Sequence, residues 1–379
     1  MTTLSLLSEL VSVNSINPSL VPGAPGEAAV GQVAAQAMKA GGLDVVFQEA
    51  APGRPNVVGV LEGREPGPSI MLCGHLDTVG VEGMTNPFTP RVADGRLYGR
   101  GSQDMKGGVA AMIAAAVTLA PDWKRGRLIV ACVADEEYES LGAEALVQEW
   151  TADAAIVTEP TDLTMAVGHK GFAWIEIATT GRAAHGSRPR DGRDAIVDMG
   201  RVLIELDAKD RELQSRPPSE HQGTASLHAS IISGGRELSV YPDRCVLQIE
   251  RRTVTGEEDS VVIREINAIL ESLHTADHGF RADARLMTSR PPYRLSPTEP
   301  LPSALGAALG ARGLSATPVG MSFWTDAAIL AGAGIPSVLF GPGGAGLHSI
   351  EEYVNLNDVD VCRDVLIDTI NKMARKMGN

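Results

Sequence analysis

The stretch SIMLCGHLD at residues 69–77 decides the reading of the fold. SIMLCG has the apolar composition and the length of a strand covered on both faces, and it runs straight into His75 and Asp77. The same pattern recurs three times. RLIVACVA at 127–134 ends in Asp135-Glu136-Glu137, AAIVT at 154–158 ends in Glu159, and PSVLF at 336–340 leads through the glycine turn GPGGAG to His348. Helical patterns over 27–40 and 107–120 and a further strand over 56–61 complete an α/β architecture. In open sheets of this class, ligands bind in the crevice outside the carboxyl ends of the strands, where these side chains are expected. Asp104 stands in GRGSQDMKGG at 99–108, just before a helix and among glycines that let backbone approach a ligand closely.

Working outward, the pattern changes after GHKG at 168–171. Residues 172–179 alternate like a half-exposed strand, followed by a helix over 194–209, strands over 224–233 and 244–252, a helix over 257–273 and a strand over 280–287. This βαββαβ order is the ferredoxin-like module, an α+β layer with one face of its antiparallel sheet open. It predicts an inserted domain over 171–289 within an α/β domain made of 1–170 and 290–379. In the latter, helices over 301–312 and 326–331, the strand 336–340 and an amphipathic helix over 357–376 resume the first pattern.

Composition excludes several classes of function. The 379 residues carry 33 Lys plus Arg against 47 Asp plus Glu, a formal charge of −14, which argues against nucleic acid or an anionic membrane as partner. The uncharged run GGVAAMIAAAVTLAP is shorter than the roughly 20 apolar residues a membrane span needs. The first basic side chain is Lys39, so a secretory n-region is missing and a cytoplasmic location is expected. Cys73, Cys132, Cys245 and Cys362 are expected to be free thiols. GRGSQDMKGG fits neither the GxGxxG nor the GxxxxGK[ST] spacing, which argues against a nucleotide site.

Taken singly, a His-x-Asp at a strand end is more often a capped turn, and DEEYES would ordinarily be a solvated acidic loop. Their joint position at strand ends carries the functional reading. Two imidazoles and several carboxylates without a thiolate suit zinc, cobalt or manganese in a catalytic centre. Three ligand carboxylates against two divalent cations leave one positive charge, which a hydroxide would neutralise, so a dinuclear site is electrostatically reasonable.

GHLDTV, GRGSQDMKGG, ADEE, VTEPT, GRAAHGSRPRDGRDAI and FGPGGAGLHSIEEY, in this order, resemble the M20 metallopeptidase and amidohydrolase family, which includes acetylornithine deacetylase, succinyl-diaminopimelate desuccinylase, carboxypeptidase G and aminoacylases. The resemblance spans nearly the whole chain. It implies a zinc-exopeptidase-like catalytic domain with a ferredoxin-like lid and dimerisation domain, and two zinc ions per chain, replaceable by cobalt or manganese. Asp104 would bridge the ions, with His75 and Glu159 completing one site and Glu137 and His348 the other. Asp77 would orient His75, Glu136 would be the general base, and the Asp104-Met105 peptide would be cis. From the lid, His185 would reach across a dimer interface to the oxyanion and Arg252 would receive the substrate carboxylate, leaving Arg251 as a solvated strand residue; Gly343 would line the substrate site. The implied reaction is hydrolysis of the amide of an N-acyl amino acid by a zinc-activated water. A carboxypeptidase or dipeptidase of the carboxypeptidase G type is the rival. A catalytically silent relative should have lost at least one of the ligands or the base, and all are present. Asp194 where many relatives have Asn, Ser239 and Tyr241 before Pro242-Asp243, and Trp324 in MSFWTDAA depart from the usual pattern and bear on specificity and interface.

Overall fold

A computed structural model describes residues 2–376. The chain forms two compact units. One runs to Val167 and includes Leu295–Val319 and the residues from Thr325 on; the other comprises Gly168–Arg294 with Gly320–Trp324.

The first unit is α/β. Its sheet places Asp44–Ala51, Arg54–Glu62, Arg125–Val133, Glu65–His75, Ala154–Val157 and Ser337–Leu339 side by side in that order. The last four run parallel, and the register sets His75 opposite Val133 and Cys73 opposite Val157. His75, Asp135–Glu137 and Glu159 therefore leave the sheet along one edge, which is how local strand-end positions become a shared site. Helix Gly107–Leu119 is apolar almost all round and accordingly buried within the core, beside helices Thr3–Ser12, Ala28–Ala40 and Leu356–Lys376. A Cβ at Gly108 would lie 2.0 Å from the Thr158 carbonyl oxygen, so only glycine lets this helix press against the chain that leads to Glu159. Leu72 is fully buried here, and truncating it to alanine removes a contribution of about 2–5 kcal/mol.

Several elements go beyond the sequence reading. Helix Thr3–Ser12 buries Leu6, Leu7, Leu10 and Val11 and starts in a capping box between Thr2 and Ser5. Strand Asp44–Ala51 is half exposed and lacks clean alternation, but Pro52-Gly53 turns it back onto Arg54, with Gly53 at φ +73°. Helix Leu141–Glu149 lies outside the elements that the sequence pattern predicts. A small sheet joins Gly344–Ala345, Tyr353–Asn355, Arg96–Tyr98 and Arg91–Ala93. It pairs Tyr353 with Tyr98 and so holds the chain just before Tyr353 beside the chain just after Tyr98.

The second unit is the expected ferredoxin-like α+β module. Its antiparallel sheet runs Ser226–Gly234, Arg244–Thr253, Gly171–Thr180, Ala282–Arg290, and helices Ala195–Ser215 and Asp259–Ala276 pack with it around a separate core. Asp194 caps the first helix, its carboxylate accepting from Ile196 N and Val197 N, a task that Asn performs equally well. Arg251 is not solvated. It falls in register with Cys245, Leu247 and Ile249 on the core side of its strand, is fully buried, and its Nη2 lies 2.7 Å from Glu257 Oε1 and 3.6 Å from Glu265 Oε2. Strand alternation, not charge, decides its side, and the two glutamates compensate the buried guanidinium. All four cysteines are buried free thiols. Among the described residues no helix is long and apolar enough to cross a membrane.

Candidate metal centre

His75 ends its strand almost completely buried. Its Nδ1 lies 3.0 Å from the Asp77 carbonyl oxygen, which can only accept, so Nδ1 carries the proton and Nε2 is left as the outward ligand atom. The Asp77 carboxylate is farther, at 3.6 Å. The expected orienting contact is thus made by the Asp77 backbone, while its carboxylate accepts from Glu136 N and Glu137 N at 3.1 Å each and from Asn17 Nδ2 at 2.7 Å. Asp77 therefore fixes the turn that carries both glutamates.

Asp104 lies in the irregular segment Ser102–Lys106, followed by a cis Asp104-Met105 peptide. One of its oxygens, Oδ1, is 3.0 Å from His75 Nε2; the other, Oδ2, is 3.3 Å from His348 Nε2. His348 Nε2 is also 3.0 Å from Glu137 Oε2, and Glu159 Oε1 is 4.0 Å from His75 Nε2. The ligand atoms of His75, Asp104 and Glu159 lie within 4.8 Å of one another, as do those of Asp104, Glu137 and His348. Two triads thus share one carboxylate. Glu136 belongs to neither, yet its Oε2 lies 3.9 Å from His75 Nε2, beside the first triad.

Charge on these groups is unbalanced without a cation. Burial raises the pKa of Glu159 and of Glu136 well above the carboxylate range, with neighbouring carboxylates adding to it, and pushes Glu137 up to about 7. Hydrogen bonds to Asp104 and Glu137 raise His348 to about 10. For Asp104, burial is outweighed by the two imidazoles, which hold its carboxyl below the usual range. Among the described residues no lysine or arginine pairs with Asp104, Glu136, Glu137 or Glu159; their ionic contacts go to His75 and His348. A nitrogen and oxygen donor set this short of positive charge fits divalent cations.

Residues 71–372, well over half of the chain, match the family described as peptidase family M20/M25/M40. The chain belongs to this family. It is a hydrolase of the M20 metallopeptidase and amidohydrolase type. It is 29% identical over 332 residues to the acetylornithine deacetylase of Myxococcus xanthus, covering 84% of each chain. It is 27% identical over 398 residues to the succinyl-diaminopimelate desuccinylase of Leptothrix cholodnii, covering 98% of each. Its fold matches that of a dinuclear metal-binding M20 peptidase from Bacillus subtilis, with a TM-score of 0.75, 16% identity and 98% coverage of each chain.

The remaining candidates of this M20 enzyme stand elsewhere. Gly343 sits where a Cβ would come within 2.6 Å of Asp162 Oδ1 and 2.9 Å of Asp358 Oδ2, so a side chain here would have to displace these carboxylates. His185 and Arg252 belong to the second unit. His185 is exposed, its Nδ1 2.8 Å from Ser187 Oγ, and its segment is tied to the strand-like stretch that contains Ser239 and Tyr241 by Gly186 N to Ser239 O and Tyr241 N to Ala184 O. Arg252 lies on the sheet face away from the helices, its Nη2 3.1 Å from Glu250 Oε1 and its guanidinium 5.6 Å from the centre of the Phe172 ring. Trp324 donates through Nε1 to Pro291 O at 3.2 Å and meets Phe172 edge-on.

The sequence reading missed the polar residues that hold the ligand-bearing loops. Arg54 pairs with Glu27 and places Nη1 2.6 Å from Asp135 Oδ1; Asn17 Nδ2 spans from Asp77 to Asp135 at 2.7 and 3.0 Å. Asp135 itself takes a left-handed φ of +68°, and its Oδ2 accepts from Glu139 N at 3.2 Å. Glu352, the second glutamate of HSIEEY, accepts at both oxygens from the Asp104 loop. The one available signal was the run of acids in DEEYES and IEE, since buried acids need partners; nothing local names those partners.

Proposed function

We propose that the protein is a dizinc amidohydrolase that removes the acyl group from an N-acyl amino acid with a free carboxylate. The observation that carries this reading is the sharing of Asp104 between two His-carboxylate triads with Glu136 unshared beside them. His75, Asp104 and Glu159 would hold one ion and Asp104, Glu137 and His348 the other. When bound, the ions supply a polarised amide carbonyl and a more acidic water. Glu136 takes the proton of the attacking water at a carboxylate oxygen and delivers it to the departing amine nitrogen, a role open to it because it belongs to neither triad. His185 stabilises the oxyanion, Gly343 leaves room for substrate, and Arg252 leaves Glu250 to receive the substrate carboxylate as a bidentate donor. The deacetylase and desuccinylase relatives favour an acyl amino acid over a peptide, and the dipeptidase reading is kept as the alternative outcome of the test.

We also propose a homodimer through the second unit, supported by strand Ser226–Gly234, which lies at a sheet edge with residues 228–234 exposed. Solution mass tests this part, and a monomer at all concentrations contradicts it. For the reaction, N-acetyl and N-succinyl amino acids are compared with dipeptides and with carboxyl-blocked amides. The free N-acyl acid should turn over best, and Arg252→Ala should lose most of that preference without rescue by Arg252→Lys. Faster turnover of dipeptides selects the peptidase reading, and indifference to the blocked carboxyl removes Arg252 from recognition.

A further inference from the structure

The two loops that carry Asp104 and His348 are joined by one buried carboxylate. Glu352 is 1% exposed, and each of its oxygens accepts two N–H groups. Oε1 takes Gln103 N at 2.8 Å and Asp104 N at 3.1 Å; Oε2 takes Gly101 N at 2.9 Å and Arg100 Nη1 at 2.7 Å. Glu352 follows His348 by four residues, so the same side chain that grips the Asp104 backbone sits at the end of the His348 loop. Arg100, 3% exposed, closes the bracket: its Nη2 donates to Ser349 O, next to His348, at 2.9 Å, and its Nε donates to Gly80 O at 3.2 Å. Neither residue is among those whose ligand atoms form the two triads.

The loops need such a bracket. His348 has a left-handed φ of +57° and a half-exposed side chain, and Asp104 lies in a segment whose backbone departs from helical geometry at φ −116° and ψ 95°. Regular structure places neither of them, whereas His75 ends a strand of the main sheet and Thr158 alone separates Glu159 from the end of another.

We propose that Glu352, clamped by Arg100, is a positioning residue that sets Asp104 against His348 and thereby builds the more exposed of the two metal positions. The inference rests on the metal-centre reading above and adds a residue that acts on the ligands from outside. Because all four partners are donors, Glu352→Gln must turn an amide NH2 toward two of them, so this nearly isosteric change breaks the bracket with little change of volume.

The test is stepwise binding of Zn2+ alone to chelator-treated protein, read by equilibrium dialysis, with the cobalt absorption spectrum as a second reading of ligand geometry. Wild type should bind two ions. In Glu352→Gln the first should bind within a few-fold of wild type, and the second should weaken by about 10–100-fold, the range found when a ligand's supporting partner is lost. The cobalt spectrum should then change in its second increment only. Arg100→Gln keeps the Glu352 contacts to backbone and should show the same pattern more weakly; it carries the test if Glu352→Gln fails to fold. A lowered thermal midpoint with both affinities unchanged, or an equal loss at both steps, overturns the inference alone. Wild type that binds no zinc overturns the metal-centre reading, and this inference with it.

Discussion

The two triads that share Asp104 are built by different means. In the first, His75 ends one parallel strand and Thr158 alone separates Glu159 from the end of another; both ligands are nearly buried and owe their places to sheet register. In the second, Glu137 and His348 stand on loops, and His348 is about half exposed, with 54% of its side chain accessible. The loop-borne ligands are accompanied by buried charge: the Asp77 carboxylate and the Asn17–Asp135–Arg54–Glu27 chain behind Glu137, and Glu352 with Arg100 behind His348. Where a sheet places a ligand, backbone hydrogen bonds suffice; where a loop does, a desolvated carboxylate that gathers N–H groups takes over the work. Such carboxylates rigidify only if fully satisfied, so losing one partner should be felt at the ligand.

The largest expected effect leaves both triads intact. Glu136→Gln should lower turnover by roughly 10²–10⁴-fold while two ions stay bound, because it removes the base and no ligand. A variant that loses metal would instead mean that Glu136 and Glu137 have been assigned the wrong way round. Next is Arg54→Met, which strands Glu27 and Asp135 as buried charges. It should cost about 3–5 kcal/mol of folding stability in chemical denaturation. A loss below about 1 kcal/mol would show that the network is solvated and does not brace the Glu137 turn. The smallest effect sharpens the comparison most. Asp77→Asn keeps the carbonyl that meets His75 but sets an NH2 among the donors Glu136 N, Glu137 N and Asn17 Nδ2. The second zinc ion should weaken by about 10–100-fold and the first by much less. An equal loss at the first ion would assign the Asp77 carboxylate to His75 after all.

Contiguity along the chain separates what the sequence reveals from what it hides. His75, Glu137 and Glu159 are legible because a strand and the residues after it are contiguous, and parallel pairing aligns their ends. The βαββαβ order of the second unit is legible for the same reason, since each element announces itself by its own period. Glu352 and Asp104 are 248 residues apart, Asn17 and Asp135 118, Arg54 and Asp135 81, and no local period connects them. Arg251 shows a related limit: two adjacent arginines read alike as charges, and only the strand's alternation against a helix-covered core tells the buried one from its neighbour. Strand Asp44–Ala51 shows a third, for its half-exposed mixture has no period, although the Pro-Gly turn that closes it was there to be read.

The proposed pair of ions around Asp104 is tested most directly by zinc titration of chelator-treated wild-type protein, with hydrolysis of an N-acetyl amino acid followed in the same samples. The predicted result is no hydrolysis without metal, saturation at two ions per chain with unequal affinities, and recovery of activity as zinc is added. Undiminished hydrolysis by protein shown to be free of metal, or saturation at fewer than two ions in fully active protein, would contradict it.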